Sequence, residues 1–310
     1  MQENSFCKSI VRFQKSLNTK MKIDKLSKNT IDSYNRTYKY FILFCEQYDK
    51  ELSFTNLKED DIYAFIEYKS NNMDKQEISD STVNSIISHL KRLFKHIERN
   101  SDELYDFDKV FEDIKIKQSV RIPKGIDDKD FKKIVNYLEE MKLEETFINF
   151  RNIILFKFLL YGGLRASEAI SVCLSNIELE EDSDLYKISF KGKGKKNRVT
   201  FIKKDVIEDE LDTLHNVLKI DINEPIATTS TGKQMDRIQL SKMVNSLYSR
   251  AGVNITGVHI LRHTAAKRLL DEGVSIVVVQ SLLGHGSIQT TAIYTNPTES
   301  IIKKELNFKK

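Results

Sequence analysis

The segment TFINFRNIILFKFLLYGGLRASE, residues 146–168, decides the fold of the larger part of this chain. Its long apolar run is interrupted by Arg151 and Lys157, so it indicates a buried helix rather than a membrane span. Two consecutive glycines then end the helix, because glycine adopts the backbone conformation of a helix C-terminus. The sequence predicts a core helix over Thr146–Tyr161 and an arginine, Arg165, at the start of the next helix.

The composition is that of a folded protein with two domains. A chain of 310 residues is long for one compact core. Its apolar fraction of 40% is sufficient for packed cores, and its charged fraction of 30% does not indicate long disordered tracts. Glycine (11 residues) and proline (3 residues) are scarce and tryptophan is absent, which favours helices with few tight turns.

The formal charge of +4 is modest, because 49 basic residues stand against 45 acidic ones. Such a surplus does not identify a nucleic-acid partner, so local clustering of the basic residues is more informative. Two basic runs consist of Lys115, Lys117, Arg121 and Lys124, and of Lys191, Lys193, Lys195, Lys196 and Arg198. Each run by itself is also compatible with an ordinary solvated face.

The cysteines and the amino terminus bear on the compartment. Cys7, Cys45 and Cys173 are far apart, odd in number and without metal-ligand spacing. They favour a reducing compartment over a disulfide framework. The amino terminus is polar and shows no secretory signal. We therefore expect a cytoplasmic protein that does not enter a membrane.

The first third of the chain is helical in pattern. Apolar residues recur at three- and four-residue spacing in three segments, which predicts helices over Thr30–Tyr48, Glu59–Lys69 and Ser81–Glu98. Ser27 is the candidate cap of the first of these. The helical domain is therefore predicted to begin near residue 25.

A boundary follows where the periodicity fades and basic residues gather around Pro123 and Gly125. We divide the chain into a helical domain at residues 1–114, a basic linker at 115–125 and a second domain at 126–310. The linker is equally compatible with contacts to phosphates and with a simple solvated tether.

The second domain combines helices with one hairpin. Asp127 or Asp128 is the expected cap of its first helix, which runs to about residue 141. The β-type segments Leu185–Phe190 and Val199–Ile202 flank a Gly-Lys-Gly tip and predict the hairpin. Further helices are predicted at Asp205–Lys219, Asp236–Arg250, His259–Glu272, Ser275–Leu283 and Gln289–Thr295. The fold class is mainly α with a small β-hairpin or sheet.

Four short motifs carry residues suited to chemistry, although each is weak alone. Arg165 follows the glycine turn at a helix start, where a guanidinium and helix N–H groups bind anions. It is equally placed to form an ordinary surface ion pair with Glu168. Lys193 lies at the hairpin tip between two glycines, and neighbouring lysines compete with it for any role.

The third motif, His259-Ile260-Leu261-Arg262-His263, places His259 and Arg262 on one face of a helix. Its two histidines have the spacing of a zinc site, but the glutamate of the HExxH pattern is missing, so we expect no metal. The fourth motif is Leu283-Gly284-His285-Gly286, with Tyr294 nine positions after its histidine. A lone histidine or tyrosine there is most often a packed core residue.

Together these residues form a set suited to phosphoryl transfer. A phosphodiester attacked by an oxygen nucleophile gains negative charge, which arginine forks and imidazoles stabilise. A free tyrosine has a pKa of about 10, so Tyr294 needs a cationic pocket or a neighbouring base to attack near neutrality. A lysine can protonate the leaving oxygen. No carboxylate cluster suited to Mg²⁺ accompanies the set, so no cofactor is predicted.

In this order the motifs resemble those of the tyrosine recombinase, or phage integrase, family. The resemblance covers about residues 124–300, and the helical domain before it fits the family in architecture. The motifs that carry it are Gly163-Leu164-Arg165-x-Ser167-Glu168, Gly192-Lys193-Gly194, His259-x-Leu261-Arg262-His263, Leu283-Gly284-His285 and Tyr294.

The resemblance implies a role for each functional residue. Tyr294 is the nucleophile that forms a 3′-phosphotyrosine, and Lys193 is the general acid for the 5′ hydroxyl. The residues that hold the scissile phosphate are Arg165, Arg262, His259 and His285.

The resemblance also implies an assembly. Each protomer has a core-binding domain and an α+β catalytic domain, which form a C-shaped clamp on double-stranded DNA. Two protomers bind each site, and four join two sites in a homotetramer through the C-terminal tail. Strands are exchanged in two steps through a Holliday junction without ATP. Phosphate contacts are expected from Lys115, Lys117, Arg121, Lys195 and Lys196.

The start of the helical domain near residue 25 leaves no room for an additional arm-binding domain, which favours an enzyme similar to the Xer recombinases that resolve chromosome and plasmid dimers. The Lys-, Asn- and Ile-rich composition is typical of AT-rich bacteria, where single-protein Xer systems occur. Such an enzyme acts on the bacterial nucleoid, with a DNA translocase as candidate activator. The main alternative is a mobile-element recombinase. A type IB topoisomerase and a non-catalytic DNA-binding relative fit less well, because the helical domain, the tail and the whole residue set are present.

Overall fold

The structure is a computed structural model and describes residues 5–48, 51–72, 78–112, 114, 125–181, 183–192 and 197–284. The chain divides into two compact units, Met1–Val120 and Arg121–Lys310. Each unit has a hydrophobic core of its own. Both are built mainly from helices, and the second also contains a small antiparallel sheet.

The described part of the N-terminal unit consists of five helices. They are α1 (Ser5–Ile23), α2 (Lys28–Gln47), α3 (Glu59–Asn71), α4 (Asp80–Asn100) and α5 (Asp108–Glu112). The three helices predicted from periodicity are α2, α3 and α4. Ser27 caps α2 as predicted, because its hydroxyl accepts a hydrogen bond from the Thr30 N–H.

Helix α1 corrects the expected start of the helical domain near residue 25, because it begins at Ser5. A stripe of apolar residues at helical spacing, which includes Ile10, Leu17 and Met21, is buried where α1 contacts α2 and α4. The opposite face is polar, so the average hydropathy of the segment is low and only the spacing reveals the helix.

Aromatic side chains fill the centre of this core. Phe41 on α2 is fully buried and packs edge-on against Phe65 of α3, at 5.0 Å between ring centroids, and Phe94 of α4, at 5.8 Å. Aromatic pairs of this geometry contribute about 0.5–1.5 kcal/mol beyond the burial of their area. Phe41 therefore packs α2, α3 and α4 against one another.

The described part of the C-terminal unit contains seven helices. They are α6 (Asp128–Lys142), α7 (Phe147–Leu160), α8 (Ala166–Ala169), α9 (Lys204–Asp212), α10 (Arg237–Arg250), α11 (His259–Asp271) and α12 (Ile276–Leu283). Asp127, not Asp128, caps α6 by accepting the Asp130 N–H at 2.8 Å. The helix predicted over Asp205–Lys219 ends earlier, because α9 passes into a π-helical turn at Thr213–Val217.

Helix α7 is the central helix of this core, as its sequence predicts. Ten of its 14 residues are buried, and it contacts α6, α8, α9 and α11. A helix without a polar face has to be covered on all sides. Its two buried cations need polar partners. Arg151 donates to the Thr228 carbonyl at 2.6 Å, and Lys157 donates to Glu210 at 2.8 Å.

The sheet has the order β1 (Ile177–Leu179), β2 (Leu185–Lys191) and β3 (Asn197–Lys203), all antiparallel. Strands β2 and β3 are the predicted hairpin, whose ladder reaches the pair Lys191–Asn197. Strand β1 was not predicted, because three residues are too short for an alternating pattern to be recognised. In the ladder Phe190 lies opposite Arg198.

The buried pair of Lys157 and Glu210 leads to a test of stability. We expect Lys157→Met to lower the free energy of unfolding of the full-length protein by about 3 kcal/mol, because the fully buried carboxylate of Glu210 loses a cationic partner. Lys142, 3.0 Å from Glu210, keeps the loss from being larger. Urea denaturation followed by circular dichroism measures the change.

The double variant Lys157→Met/Glu210→Leu is the control. Replacing both buried charges by apolar side chains removes the desolvation cost as well as the attraction. The double variant should therefore be more stable than Lys157→Met. A double variant as unstable as the single one would mean that lost packing, and not an unpaired charge, causes the loss.

Candidate active site

The turn after α7 brings the first predicted site residue into place. Gly163 has a φ of +62°, a left-handed conformation that costs a residue with a side chain about 1–2 kcal/mol. A Cβ on Gly163 would also collide with the side chain of Leu283 on α12. The buried hydroxyl of Thr200 on β3 donates to the Gly162 carbonyl at 2.8 Å. The turn is thus packed against β3 and α12, and Arg165 follows it at the start of α8.

Glu168 fixes the position of Arg165. Its Oε2 accepts the Arg165 backbone N–H at 2.8 Å, and its Oε1 accepts from the Arg165 Nη1 at 2.9 Å. The first bond satisfies a backbone donor at the start of α8, as in a capping box. Only 2% of Glu168 is exposed, so this is not the ordinary surface ion pair that the sequence also allowed.

Two more arginines share this carboxylate. Arg198 on β3 donates from Nη1 to Oε1 at 2.8 Å, and Nη1 of Arg262 on α11 lies 3.9 Å from Oε2. We call Arg165, Arg198, Arg262 and Glu168 the arginine cluster. Three guanidinium charges meet one carboxylate in it, which leaves a formal excess of two positive charges. A preorganised excess of this kind binds an anion with several charge-assisted hydrogen bonds.

The same three arginines bind the end of α12. Arg198 donates from Nη2 to the Leu282 carbonyl at 2.7 Å, and Arg165 donates from Nη2 to the Gly284 carbonyl at 3.0 Å. Arg262 donates to the intervening carbonyl of Leu283. Carbonyls at a helix C-terminus have no partner in the helix and carry partial negative charge, so cations there are stabilising.

The three guanidinium groups differ in access to solvent. The side chain of Arg165 is 32% exposed, that of Arg198 16% and that of Arg262 8%. Arg262 is held deep in the unit because it donates to the carbonyls of Gly163 and Leu283. An anion from solution therefore reaches Arg165 most easily, and Arg262 contributes its positive charge from a buried position.

Two histidines lie near the start of α11, the helix that carries Arg262. His259 is its first residue and is exposed. Burial lowers the pKa of His263, and the neighbouring His259 and Arg262 lower it further. A neutral imidazole is therefore favoured at His263 near neutral pH. The predicted pair of His259 and Arg262 lies within the first turn of this helix.

Of the predicted site residues, the structure brings Arg165 and Arg262 to one carboxylate and places His259 on the helix that carries Arg262. The other predicted positions lie outside the described residues: Lys193, His285, Tyr294, Lys115, Lys117, Arg121, Lys195 and Lys196.

Sequence reasoning missed Glu168 and Arg198 as site residues. Glu168 has the spacing of a capping residue for α8, and that spacing was available as a signal. Arg198 ends a run of basic residues, in which no pattern distinguishes it from its neighbours. Its partners on α8 and α12 are 30 and 84 residues away, so only the fold reveals its role.

A second concentration of positive charge lies on α2, α3 and α4. We call it the α2–α4 cluster; its members are Arg36, Lys69, His89 and Arg92, together with Tyr34 and Tyr40. Arg92 lies 5.3 Å from the Tyr34 ring centroid and Lys69 lies 5.5 Å from that of Tyr40. Burial lowers the pKa of Lys69, and the nearby Arg36 lowers it further. Lys69 is buried, whereas Arg36 is exposed and Arg92 partly exposed, so the two arginines are the members of the cluster that are accessible to a phosphate.

Two statements hold for the part of the chain that the structure describes. It contains no group of three or more His, Cys, Asp and Glu side chains arranged to hold a metal ion. None of its helices combines the length and the apolar character that crossing a bilayer requires.

Comparison with known proteins identifies the class. Residues 124–300 match the model of the phage integrase family, and residues 13–102 match that of the phage integrase N-terminal SAM-like domain. The first match alone covers more than half of the chain. The chain therefore belongs to the phage integrase family, as its motifs indicated.

The relatives define its type within the family. Tyrosine recombinase XerH of Campylobacter jejuni is 33% identical over 181 residues, a match that covers 58% of this chain and 50% of that protein. Tyrosine recombinase XerC of Rickettsia bellii is 29% identical over 297 residues, 92% of this chain and 91% of that protein. The chain is a site-specific tyrosine recombinase of the Xer type.

A solved structure has the same fold. It is the XerH recombinase bound to a palindromic difH substrate, which aligns with a TM-score of 0.73 at 24% identity. The alignment covers 90% of this chain and 79% of the other. The predicted fold class, mainly helical with a small sheet and with an N-terminal helical domain before a catalytic domain, is confirmed.

The end of α12 provides a test of the arginine cluster. Gly284 has a φ of +61°, and a Cβ there would overlap the Arg198 guanidinium. Gly284→Ala should therefore cost about 2–3 kcal/mol of unfolding free energy, from backbone strain and from displacement of Arg198. Urea denaturation of the full-length protein measures the loss.

Gly252 is the matched control, because its φ is +66° and no atom lies within 4 Å of an added Cβ. Gly252→Ala should cost only the strain, about 1 kcal/mol. Equal losses in the two variants would contradict a close fit between Gly284 and Arg198.

Proposed function

We propose that this chain cuts and rejoins DNA through Tyr294 and that the arginine cluster binds the phosphate that is cut. The supporting observation is the buried carboxylate of Glu168 with three guanidinium groups around it. Such a site carries positive charge before any ligand arrives and does not need to reorganise when charge develops on a phosphate.

The proposed reaction has two steps. The Tyr294 phenol loses its proton to solvent as its oxygen attacks the phosphorus, the bond from phosphorus to the 5′ oxygen breaks, and a 3′-phosphotyrosine forms. The leaving 5′ oxygen takes a proton from Lys193. In the second step the 5′ hydroxyl of another strand gives its proton to Lys193 and attacks the phosphotyrosine. The bond from phosphorus to the Tyr294 oxygen breaks, the phenol regains its proton from solvent, and a phosphodiester is restored. The phosphotyrosine bond conserves the energy of the phosphodiester that is broken, so no ATP is needed.

The described residues divide the work of binding the phosphate. Arg165 is the most exposed arginine of the cluster and makes the direct contact with the non-bridging oxygens. Arg262 adds charge from a buried position, and His259 donates a hydrogen bond from the start of α11. His285 is the second imidazole donor in this proposal.

The biological role that we propose is resolution of chromosome or plasmid dimers in the bacterial cytoplasm. It is supported by Xer-named relatives that align over nine-tenths of their length. In this proposal two protomers bind each site, the C-terminal tail joins four protomers at two sites, and a DNA translocase activates the complex at the nucleoid. The alternative is a recombinase of a mobile element, which uses the same chemistry.

Covalent trapping tests the reaction. We expect the wild-type protein to form a denaturant-resistant adduct with nicked DNA fragments that carry candidate sites from the host genome, and Tyr294→Phe to form none. Arg165→Ala should lower the cleavage rate by about 10²–10³-fold, the usual effect of removing one donor to a developing oxyanion. The sequence of the trapped fragment distinguishes a chromosomal site from the end of a mobile element.

Three outcomes would contradict the proposal. An adduct that persists in Tyr294→Phe would place the nucleophile elsewhere. Tight binding of a fragment without any adduct, even with the isolated translocase domain of the host added, would favour a DNA-binding protein. Relaxation of supercoiled plasmid that lacks the site would favour the topoisomerase alternative.

The salt dependence of binding tests the proposed DNA contacts. Each phosphate contact contributes about 0.9 to the slope of log K against log salt concentration. We expect Arg36→Gln/Arg92→Gln to reduce the slope by about 2, because in this proposal these two arginines of the α2–α4 cluster contact phosphates. Neutralising Lys115, Lys117 and Arg121 together should flatten it by up to about 3.

Lys8→Gln/Lys15→Gln is the matched control for the first variant, because it removes the same charge from exposed positions of α1. An equal change of slope in the control would show that only net charge matters. An unchanged slope in the Arg36→Gln/Arg92→Gln protein would place the DNA on another surface.

A further inference from the structure

We propose that Arg198 is a positioning residue for strand cleavage, which acts through Glu168 on Arg165. The proposal rests on the function proposed above and adds a residue that lies outside the predicted catalytic set. It concerns the rate of cleavage once DNA is bound.

Three contacts hold the Arg198 guanidinium in place. One nitrogen donates to Glu168 Oε1 at 2.8 Å and another to the Leu282 carbonyl at 2.7 Å. The guanidinium carbon lies 5.3 Å from the centroid of the Phe190 ring, its cross-strand neighbour. A planar fork can make both bonds and stack on a ring at once, which a lysine ammonium cannot. Arg198 is thus fixed by β2, α8 and α12 together.

The decisive contact is the oxygen that Arg198 shares. Glu168 Oε1 accepts from Arg165 at 2.9 Å and from Arg198 at 2.8 Å. Arg165 and Arg198 therefore hold this oxygen from two sides. If Arg198 is removed, a buried carboxylate loses one of its charged donors and has to turn or draw Arg165 inward. Arg165 is the arginine that reaches the phosphate, so the change is transmitted to the reacting group.

A second path leads through the end of α12. Arg198 and Arg165 bind the carbonyls of Leu282 and Gly284, two residues apart. A Cβ at position 284 would displace the Arg198 guanidinium, so the two groups pack closely. Loss of Arg198 therefore removes a support of the same main-chain segment that Arg165 binds. A misplacement of about 1 Å at a catalytic group is enough to lower a rate about 10²-fold.

Single-turnover cleavage of a bound site tests the proposal. Arg198→Met should lower the cleavage rate by about 10²-fold with DNA affinity close to wild type. Because it also removes a charged partner from a buried carboxylate, it should unfold at a lower temperature than the wild type, so cleavage is measured well below that temperature. Arg198→Lys should recover part of the rate, because it keeps the charge beside Glu168 but not the fork. Lys203→Met, an exposed residue on the same strand, should cleave at the wild-type rate.

Two further measurements identify the path. The effects of Arg198→Met and Glu168→Gln should not add in the double variant if Arg198 acts through Glu168. A substrate with a 5′-bridging sulfur has a leaving group that needs no proton. It should restore cleavage to Lys193→Ala but not to Arg198→Met, because Arg198 acts on phosphate binding and not on the leaving group.

The proposal fails if Arg198→Met cleaves at the wild-type rate, if its effect adds fully to that of Glu168→Gln, or if the sulfur substrate restores its activity. Failure of the underlying function is seen separately. In that case the wild-type protein itself forms no covalent adduct in the same assay, and its yield equals that of Tyr294→Phe.

Discussion

The site depends on the ion pairs between the buried carboxylate of Glu168 and three arginines. Removing a carboxylate from water costs several kcal/mol, and only charged or strongly hydrogen-bonding partners offset that cost. Three arginines from separate elements supply them: the turn after α7, strand β3 and helix α11. The requirement to compensate one buried negative charge thus brings together three positive ones, and their excess makes the place suitable for a phosphate.

Much of the architecture follows from periodicity. The spacing of apolar residues predicted α2 and α4, and a long apolar run predicted the buried helix α7. The hairpin follows from two β-type runs around glycines. Helix α1 was missed because its polar face hides the stripe in any average, and β1 because it is too short to show alternation. Local patterns were sufficient where an element has a long regular face.

The site was predictable only in part. The sequence predicted Arg165 and Arg262, which are 97 residues apart, as site residues from their motifs in combination, and the structure brings both to Glu168. It did not show that Glu168 joins them, since a glutamate three residues after an arginine is usually a surface pair. Arg198 was hidden among lysines. Charge balance inside a folded unit is a property of three-dimensional packing, which a one-dimensional pattern does not contain.

The three arginines hold α12 by its main-chain carbonyls, and this has a consequence for how the enzyme can change over time. A carbonyl is the same in every amino acid, so the side chains of Leu282 and Leu283 are not what the guanidinium groups recognise. Substitutions at exposed positions of α12 that keep the helix and its final glycine leave these bonds intact. The exposed side chains of α12 can therefore change without altering the arrangement of the three arginines around Glu168.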